Sequence, residues 1–365
     1  MKAQHLLLAI PMVEAFFAST SHTSFMARPS ESMSLGRPRT LLMDTEGDLD
    51  HATREQIASF FQQTSVVAPQ LAVPLVECAH GMPWKQSIDD ALPEDALLYM
   101  PFWEWQMGFM KENLTNLRAL PCTAEDVDFS YEENDKKKAR IVSSCYASDE
   151  YRKIRMTYYD AGDNCQVFNS VWYPNPKYNL PVLGIDLLSF NRKKYLAIVD
   201  FQPIHDKEED HALTFEDRLA PLKAKYENLK GQMSSKFYDE TQFFSQQMLF
   251  ARFEDENIVT DELFPAFQEY VKTHLDLVRE TPPADASEMQ MVLEHQKAYD
   301  TYSAERDPAT GLFASMFGKE WADGFVYDFL FSLSEKKEGG ITMGNPMAGG
   351  NPNAARQQQS QPAGQ

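Results

Sequence analysis

The sequence predicts an α/β fold, a three-layer α/β/α sandwich whose central sheet is mainly antiparallel. Two observations carry that prediction. Five short segments in the middle of the chain are rich in β-branched and aromatic residues and are joined by turns. Segments with apolar residues at three-to-four spacing stand before and after them. Connections that short cannot hold crossover helices, so neighbouring strands run antiparallel.

The elements follow in chain order. Met1-Lys2 precedes an apolar run, Leu6 to Ile10 and Ala15 to Phe17, too short and interrupted to span a membrane. Small residues follow, and the stretch to about Arg39 is rich in Ser and Thr, with Arg28, Arg37, Arg39 and one acid, Glu31. A signal segment followed by a transit segment predicts a bipartite leader over residues 1–43, addressed to the stroma of a complex plastid. The folded unit is expected over residues 44–336. Helices are predicted over Arg54 to Thr64 and Phe102 to Leu117. Strands are predicted over Arg140 to Cys145, Lys153 to Tyr159, Gln166 to Trp172, Val182 to Phe190 and Tyr195 to Phe201. Turn chemistry separates them at Ala161-Gly162-Asp163-Asn164, Pro174-Asn175-Pro176 and Asn191-Arg192. Helical spacing then links Leu219, Leu222, Tyr226, Leu229 and Met233, and again Phe267, Val271, Leu275 and Val278. Further helices are expected over Ser287 to Ser303 and Phe313 to Leu333. Residues 337–365, mostly Gly, Asn, Pro, Gln and Ala, lack the apolar surface to order themselves and read as a disordered tail.

Composition excludes several functions. Of 365 residues 43% are hydrophobic, enough for a large core, and the net charge of −20 argues against nucleic-acid binding. Basic residues nonetheless cluster at Lys136-Lys137-Lys138 with Arg140, at Arg152-Lys153 with Arg155, and at Arg192-Lys193-Lys194. Such clusters suit an acidic protein partner or, more blandly, solvated turns. The four cysteines, Cys78, Cys122, Cys145 and Cys165, have neither zinc nor iron–sulfur spacing and read as reduced, mostly buried thiols. No glycine-rich turn has dinucleotide or P-loop spacing, so bound NAD, FAD or ATP has no support. The stretch His205 to His211 reads as a solvated polar loop rather than a metal site.

Two strands break their own apolar pattern. Asp186 interrupts Val182-Leu183-Gly184-Ile185-Asp186-Leu187-Leu188, where a carboxylate must be desolvated or paired, and Gly184 on the same face leaves room for a ligand beside it. Asn169 interrupts Gln166 to Trp172. On the residues alone, each also fits a buried polar group satisfied by hydrogen bonds.

At these segments the sequence resembles a known family. Arg152-Lys153-Ile154-Arg155, Val171-Trp172-Tyr173-Pro174-Asn175-Pro176, Tyr178-Asn179-Leu180-Pro181 and Leu183-Gly184-Ile185-Asp186 are similar, in order, to the central sheet of the ferredoxin-dependent bilin reductases. Leu196 to Pro203, Leu249-Phe250-Ala251-Arg252, Arg306-Asp307 and Phe317-Gly318-Lys319-Glu320-Trp321 extend the match. The resemblance implies a bilin cleft between the sheet and the C-terminal helices, with no bound metal or flavin. It implies a reduced [2Fe-2S] ferredoxin giving electrons singly, and a bilin radical between transfers. Asp186 becomes the expected proton donor, its pKa raised by burial, and Asp307 the second acid. Arg252 matches a position that pairs with a bilin propionate. Members forming phycocyanobilin carry His at the position of Asn169 and Glu at that of Thr157, so these two substrate-binding positions disfavour that product. The Asp200-Phe201-Gln202-Pro203 wording resembles members that reduce the A-ring diene, which implies conversion of 15,16-dihydrobiliverdin to phycoerythrobilin. The alternatives are reduction of biliverdin at C15=C16, giving 15,16-dihydrobiliverdin, or a non-enzymatic bilin carrier or lyase. Ferredoxin docking is expected on Arg152, Lys153, Arg192, Lys193 and Lys194. The family expectation is a monomer, with an upstream bilin reductase or a downstream phycobiliprotein lyase as further partners.

Overall fold

The computed structural model describes residues 97–124, 127–205, 209–226, 228–231 and 242–335. The leader, the helix expected over Arg54 to Thr64, Cys78, Met233 and the tail lie outside the described residues.

The chain enters through helix α1, Met100–Asn113, started by Pro101 in its first turn, where a missing N–H costs nothing. The predicted helix stops short of Leu117 because the backbone turns at Asn116, at φ 53°, into strand β1, Arg118–Leu120. A small hairpin follows, β2 Thr123–Ala124 with β3 Val127–Asp128, and then β4, Tyr131–Asn134. The five predicted strands are present and slightly longer: β5 Ala139–Ala147, β6 Tyr151–Asp160, β7 Cys165–Pro174, β8 Val182–Phe190 and β9 Lys194–Gln202. Strand β10, Leu249–Phe253, closes the sheet. The order is β1-β5-β6-β7-β8-β9-β10, with β4 also on β5, and every pairing is antiparallel. Strands β1 to β4 and β10 escaped sequence reading because they are two to five residues long, with little alternation to detect.

Alternation divides the sheet into two faces. One carries Ile154, Met156, Phe168, Trp172, Ile185 and Phe201, all within 1% of full burial. Helix α2, Glu209–Lys225, and helix α3, Phe264–Glu280, complete this layer with α1. Phe102 of α1 meets Phe267 of α3 at 5.2 Å between ring centroids and Phe168 of the sheet at 6.5 Å. Helix α2 ends at Lys225, before the predicted Leu229, because the chain turns to run beside β10. There a side chain on Gly231 would press on the Phe250 ring, 3.0 Å from a Cβ.

The other face meets the C-terminal helices. Helix α4, Ala286–Arg306, is capped by Asp285, whose carboxylate accepts from the N–H groups of Ser287 and Glu288, each at 2.9 Å. The single helix predicted over Phe313 to Leu333 is three pieces: α5 Thr310–Phe317, α6 Lys319–Gly324 and a π-helical turn Phe325–Leu330. Gly318 makes the first break, at φ 100°, a conformation other residues avoid. Helices on both sides of an antiparallel sheet give the predicted sandwich.

Candidate active site

The register aligns one row of side chains on the face toward the C-terminal helices. Ser143 pairs with Thr157, Thr157 with Asn169, Asn169 with Asp186, Asp186 with Ile198, and Ile198 with Phe250. Asp186 is half-buried, and the Asn169 Nδ2 group donates to its Oδ1 at 3.1 Å. Burial pushes the Asp186 carboxyl up to about 7, against the Asn169 hydrogen bond, while the charge of Asp307 raises it and Arg155 lowers it. Asp307 caps the C-terminus of α4, and its Oδ1 accepts from the Ala309 N–H at 2.7 Å. Burial holds its carboxyl at about 6, again against Arg155. One acid comes from the sheet and the other from the helical layer, and each senses the same buried cation. Two carboxyls near neutrality that sense each other across the sheet and the helical layer can donate protons at physiological pH.

The rest of this face divides into a polar and an apolar part. Leu196, Ile198 and Phe250, with Leu188 and Met248 against them, form an apolar floor separate from the main core. Arg252, one pleat along β10 from Phe250, holds its guanidinium 5.1 Å from that ring, and burial lowers its pKa. Thr157 is buried, with its Oγ1 3.0 Å from Ser143 Oγ and 3.1 Å from the donating Nη1 of Arg155. It thus holds Arg155 as well as lying in the row.

Several expectations need correction. Gly184 does not leave room for a ligand: the Gln202 side chain fills the space above it and would collide with any Cβ there. Gln202 is itself held by the hydroxyl of Tyr299, which donates to its Oε1. Arg152 and Lys153 are 2% and 8% exposed, so they cannot form a docking surface. Arg152 donates to Gln296 and stacks 4.2 Å from the Tyr173 ring centre, while Lys153 donates to the Phe329 carbonyl at 2.5 Å and to Ser332 Oγ at 3.1 Å. Both tie the sheet to the C-terminal helices. Arg192 pairs with Glu256 and is half-exposed, Lys193 is exposed, and Lys194 is half-buried. Antiparallel pairing puts their turn at the same end of the sheet as Lys136 and Lys138, which are exposed. His205, read as part of a solvated loop, is buried, with its Nε2 3.0 Å from Asn179 Oδ1 and 3.2 Å from His295 Nδ1. Part of that stretch, from Glu209, belongs to α2. Cys122 and Cys145 are buried free thiols, and Cys165 is half-buried.

Sequence reading missed two charged residues on this face. Asp200 is fully buried and accepts from Ser245 through its N–H at 2.8 Å and Oγ at 2.5 Å, with burial raising its pKa to about 7. Arg155 is 1% exposed, and its Nε is buried with no hydrogen-bond acceptor. The available signal was the alternation of Lys153, Arg155 and Thr157 against Ile154, Met156 and Tyr158. Among the described residues, no group of three or more His, Cys, Asp or Glu could hold a metal ion.

Comparison with known proteins bears on this geometry. Residues 110–332 match the family model described as ferredoxin-dependent bilin reductase. A protein of Nostoc punctiforme named 15,16-dihydrobiliverdin:ferredoxin oxidoreductase is 41% identical over 237 residues, 64% of this chain and 95% of the relative. One of the same name from Gloeobacter violaceus is 40% identical over 235 residues, again 64% and 95%. The crystal structure of phytochromobilin synthase from tomato in complex with biliverdin shares the fold, with a TM-score of 0.58 at 23% identity, covering 66% of this chain and 86% of that one.

Proposed function

Because the chain belongs to the ferredoxin-dependent bilin reductases, we propose that it carries out a two-electron reduction in which 15,16-dihydrobiliverdin is one of the two bilins. Asp186 and Asp307 are its proton donors. The observation that carries this reading is the pair of carboxyls, one from the sheet and one from the cap of α4, both raised by burial to about 7 and about 6. A binding protein gains nothing from two desolvated acids, whereas a reductase that receives electrons singly from ferredoxin must supply protons itself. The bilin carries the unpaired electron between the two transfers, and each carboxyl gives up one proton. Arg252 takes a propionate at the rim, and the apolar floor of Leu196, Ile198 and Phe250 takes the tetrapyrrole plane. Asn169 donates to Asp186 and orients it without supplying a proton, since an amide does not titrate.

Two reactions fit this description. The names of the two relatives favour reduction of biliverdin at C15=C16. In a name of that form the electron donor stands first, which sets 15,16-dihydrobiliverdin on the reduced side of the couple, as the product when ferredoxin gives electrons. The Asp200 to Pro203 wording favours the second, reduction of the A-ring diene of 15,16-dihydrobiliverdin to phycoerythrobilin. An anaerobic assay with reduced ferredoxin and each bilin separately distinguishes them. Consumption of biliverdin with 15,16-dihydrobiliverdin accumulating supports the first, phycoerythrobilin from 15,16-dihydrobiliverdin alone supports the second, and no reduction of either overturns both. Ferredoxin docks at the sheet end bearing Lys136, Lys138 and Lys193. Turnover should therefore slow as salt rises, since exposed charges are screened over about 10 Å at 0.1 M ionic strength.

A further inference from the structure

Arg155 sits on β6 two residues before Thr157, on the face that carries Asp186. It is 1% exposed, yet among the described residues its guanidinium forms no ion pair. Nη1 donates to Thr157 at 3.1 Å, and Nε is left without an acceptor. A buried donor with nothing to bond to destabilises a fold, and a buried cation without a counter-ion does so more. Such a group persists where a ligand completes it. Asp186 and Asp307 both sense its positive charge, which sets it at the polar end of the cleft, away from the apolar floor and Arg252.

We propose that Arg155 is a substrate-binding residue, and that its Nε donates to a lactam carbonyl oxygen of the bilin. A propionate suits this position poorly, because its full negative charge would push the carboxyls of Asp186 and Asp307 further up and hold back the protons they must give. A lactam oxygen is a neutral acceptor before the reaction. It gains negative charge when an electron from ferredoxin enters the conjugated system, so the bond to a fixed cation strengthens as the electron arrives. Arg155 thereby favours uptake of the electron while the two acids supply the protons. This inference rests on the bilin reading of the cleft but not on which double bond is reduced.

Binding tests it without turnover. The full chain is titrated anaerobically with biliverdin and, separately, with 15,16-dihydrobiliverdin, without ferredoxin, and bound pigment is followed by its absorption. Arg155→Gln should weaken binding roughly ten- to hundredfold, the worth of a hydrogen bond to a charged group, and shift the absorption band of bound pigment. Arg155→Lys, which keeps the charge but not the planar fork, should recover part of the affinity. Without ligand, Arg155→Gln should unfold at or above the wild-type temperature, since an uncompensated buried charge has been removed. Wild-type affinity and band in Arg155→Gln would overturn the proposal, as would a lowered unfolding temperature with affinity intact, which assigns Arg155 to the scaffold. If Arg155→Gln does not fold, a folded Arg155→Lys with wild-type affinity and band overturns it equally. A wild-type chain that binds neither biliverdin nor 15,16-dihydrobiliverdin would instead overturn the bilin reading, and that outcome is distinct.

Discussion

The two faces of this sheet are built from the same strands and differ in what burial has done to their polar groups. On the face under α1 and α3, His274 is fully buried, its pKa lowered to about 4, with a partner on each ring nitrogen: Tyr151 at Nδ1 and the Pro181 carbonyl at Nε2, both at 3.0 Å. Gln106 likewise donates to Ser170 at 2.8 Å. On the opposite face Asp186 and Asp307 are held near neutrality, and Arg155 keeps a donor unfilled. The first face buries neutral polar groups, some paired within the fold and others, such as the indole N–H groups of Trp103 and Trp172, without a hydrogen-bond partner among the described residues. The second keeps groups poised to change protonation or to accept a partner from outside. A buried polar residue is therefore informative through its partners rather than its burial alone.

The largest effect is expected at Asp186. Asp186→Asn should lower turnover by about 10² to 10⁴, the usual worth of a positioned acid, while bilin binding stays close to wild type. Steady-state rates beside an absorption titration check this, and unchanged turnover would remove Asp186 from the mechanism. Trp172→Ala on the packed face should act in the opposite manner, costing about 3–5 kcal/mol of stability in denaturant unfolding. Its folded fraction should still bind bilin with wild-type affinity. Next in size is a pH effect. A carboxyl whose native pKa of about 7 lies above its ordinary value of 3.8 contributes stability at low pH that is lost as pH rises through about 7. Ligand-free Asp186→Asn should thus melt above wild type at about pH 8 and lose that advantage in acid, where both are neutral. Turnover of wild type should fall over the same rise through about 7, as the donor loses its proton. The smallest effect is expected from Ser170→Ala, which removes one neutral hydrogen bond beneath the sheet and should cost about 1 kcal/mol with no change in turnover.

Much of this was legible in the chain itself. The five long strands announced themselves through β-branched and aromatic runs bounded by turn residues, and the apolar stripe of α3 through its spacing, because both patterns are local. Asp186 was visible as a charge inside an apolar strand. Asp307, in contrast, reads by itself as a turn residue before a proline, and only resemblance marked it. The short strands β1 and β10 carry too few residues to show alternation, and the helix expected over Phe313 to Leu333 hid a break whose cause is one backbone angle at Gly318.

What the sequence by itself determined is the sandwich, the order of its elements and the presence of a carboxyl that burial must perturb, since each depends on neighbours along the chain. Tertiary structure alone decided which groups share the cleft. The basic run at Arg152 and Lys153 looked like a docking surface and became buried ties between layers. The space beside Gly184 looked open and was taken by Gln202 from the next strand. Arg155 looked like one more basic residue in that run. Strand register and the α4 cap set its charge where two acids from distant parts of the chain sense it, and burial raised both of those carboxyls, which no local pattern encodes.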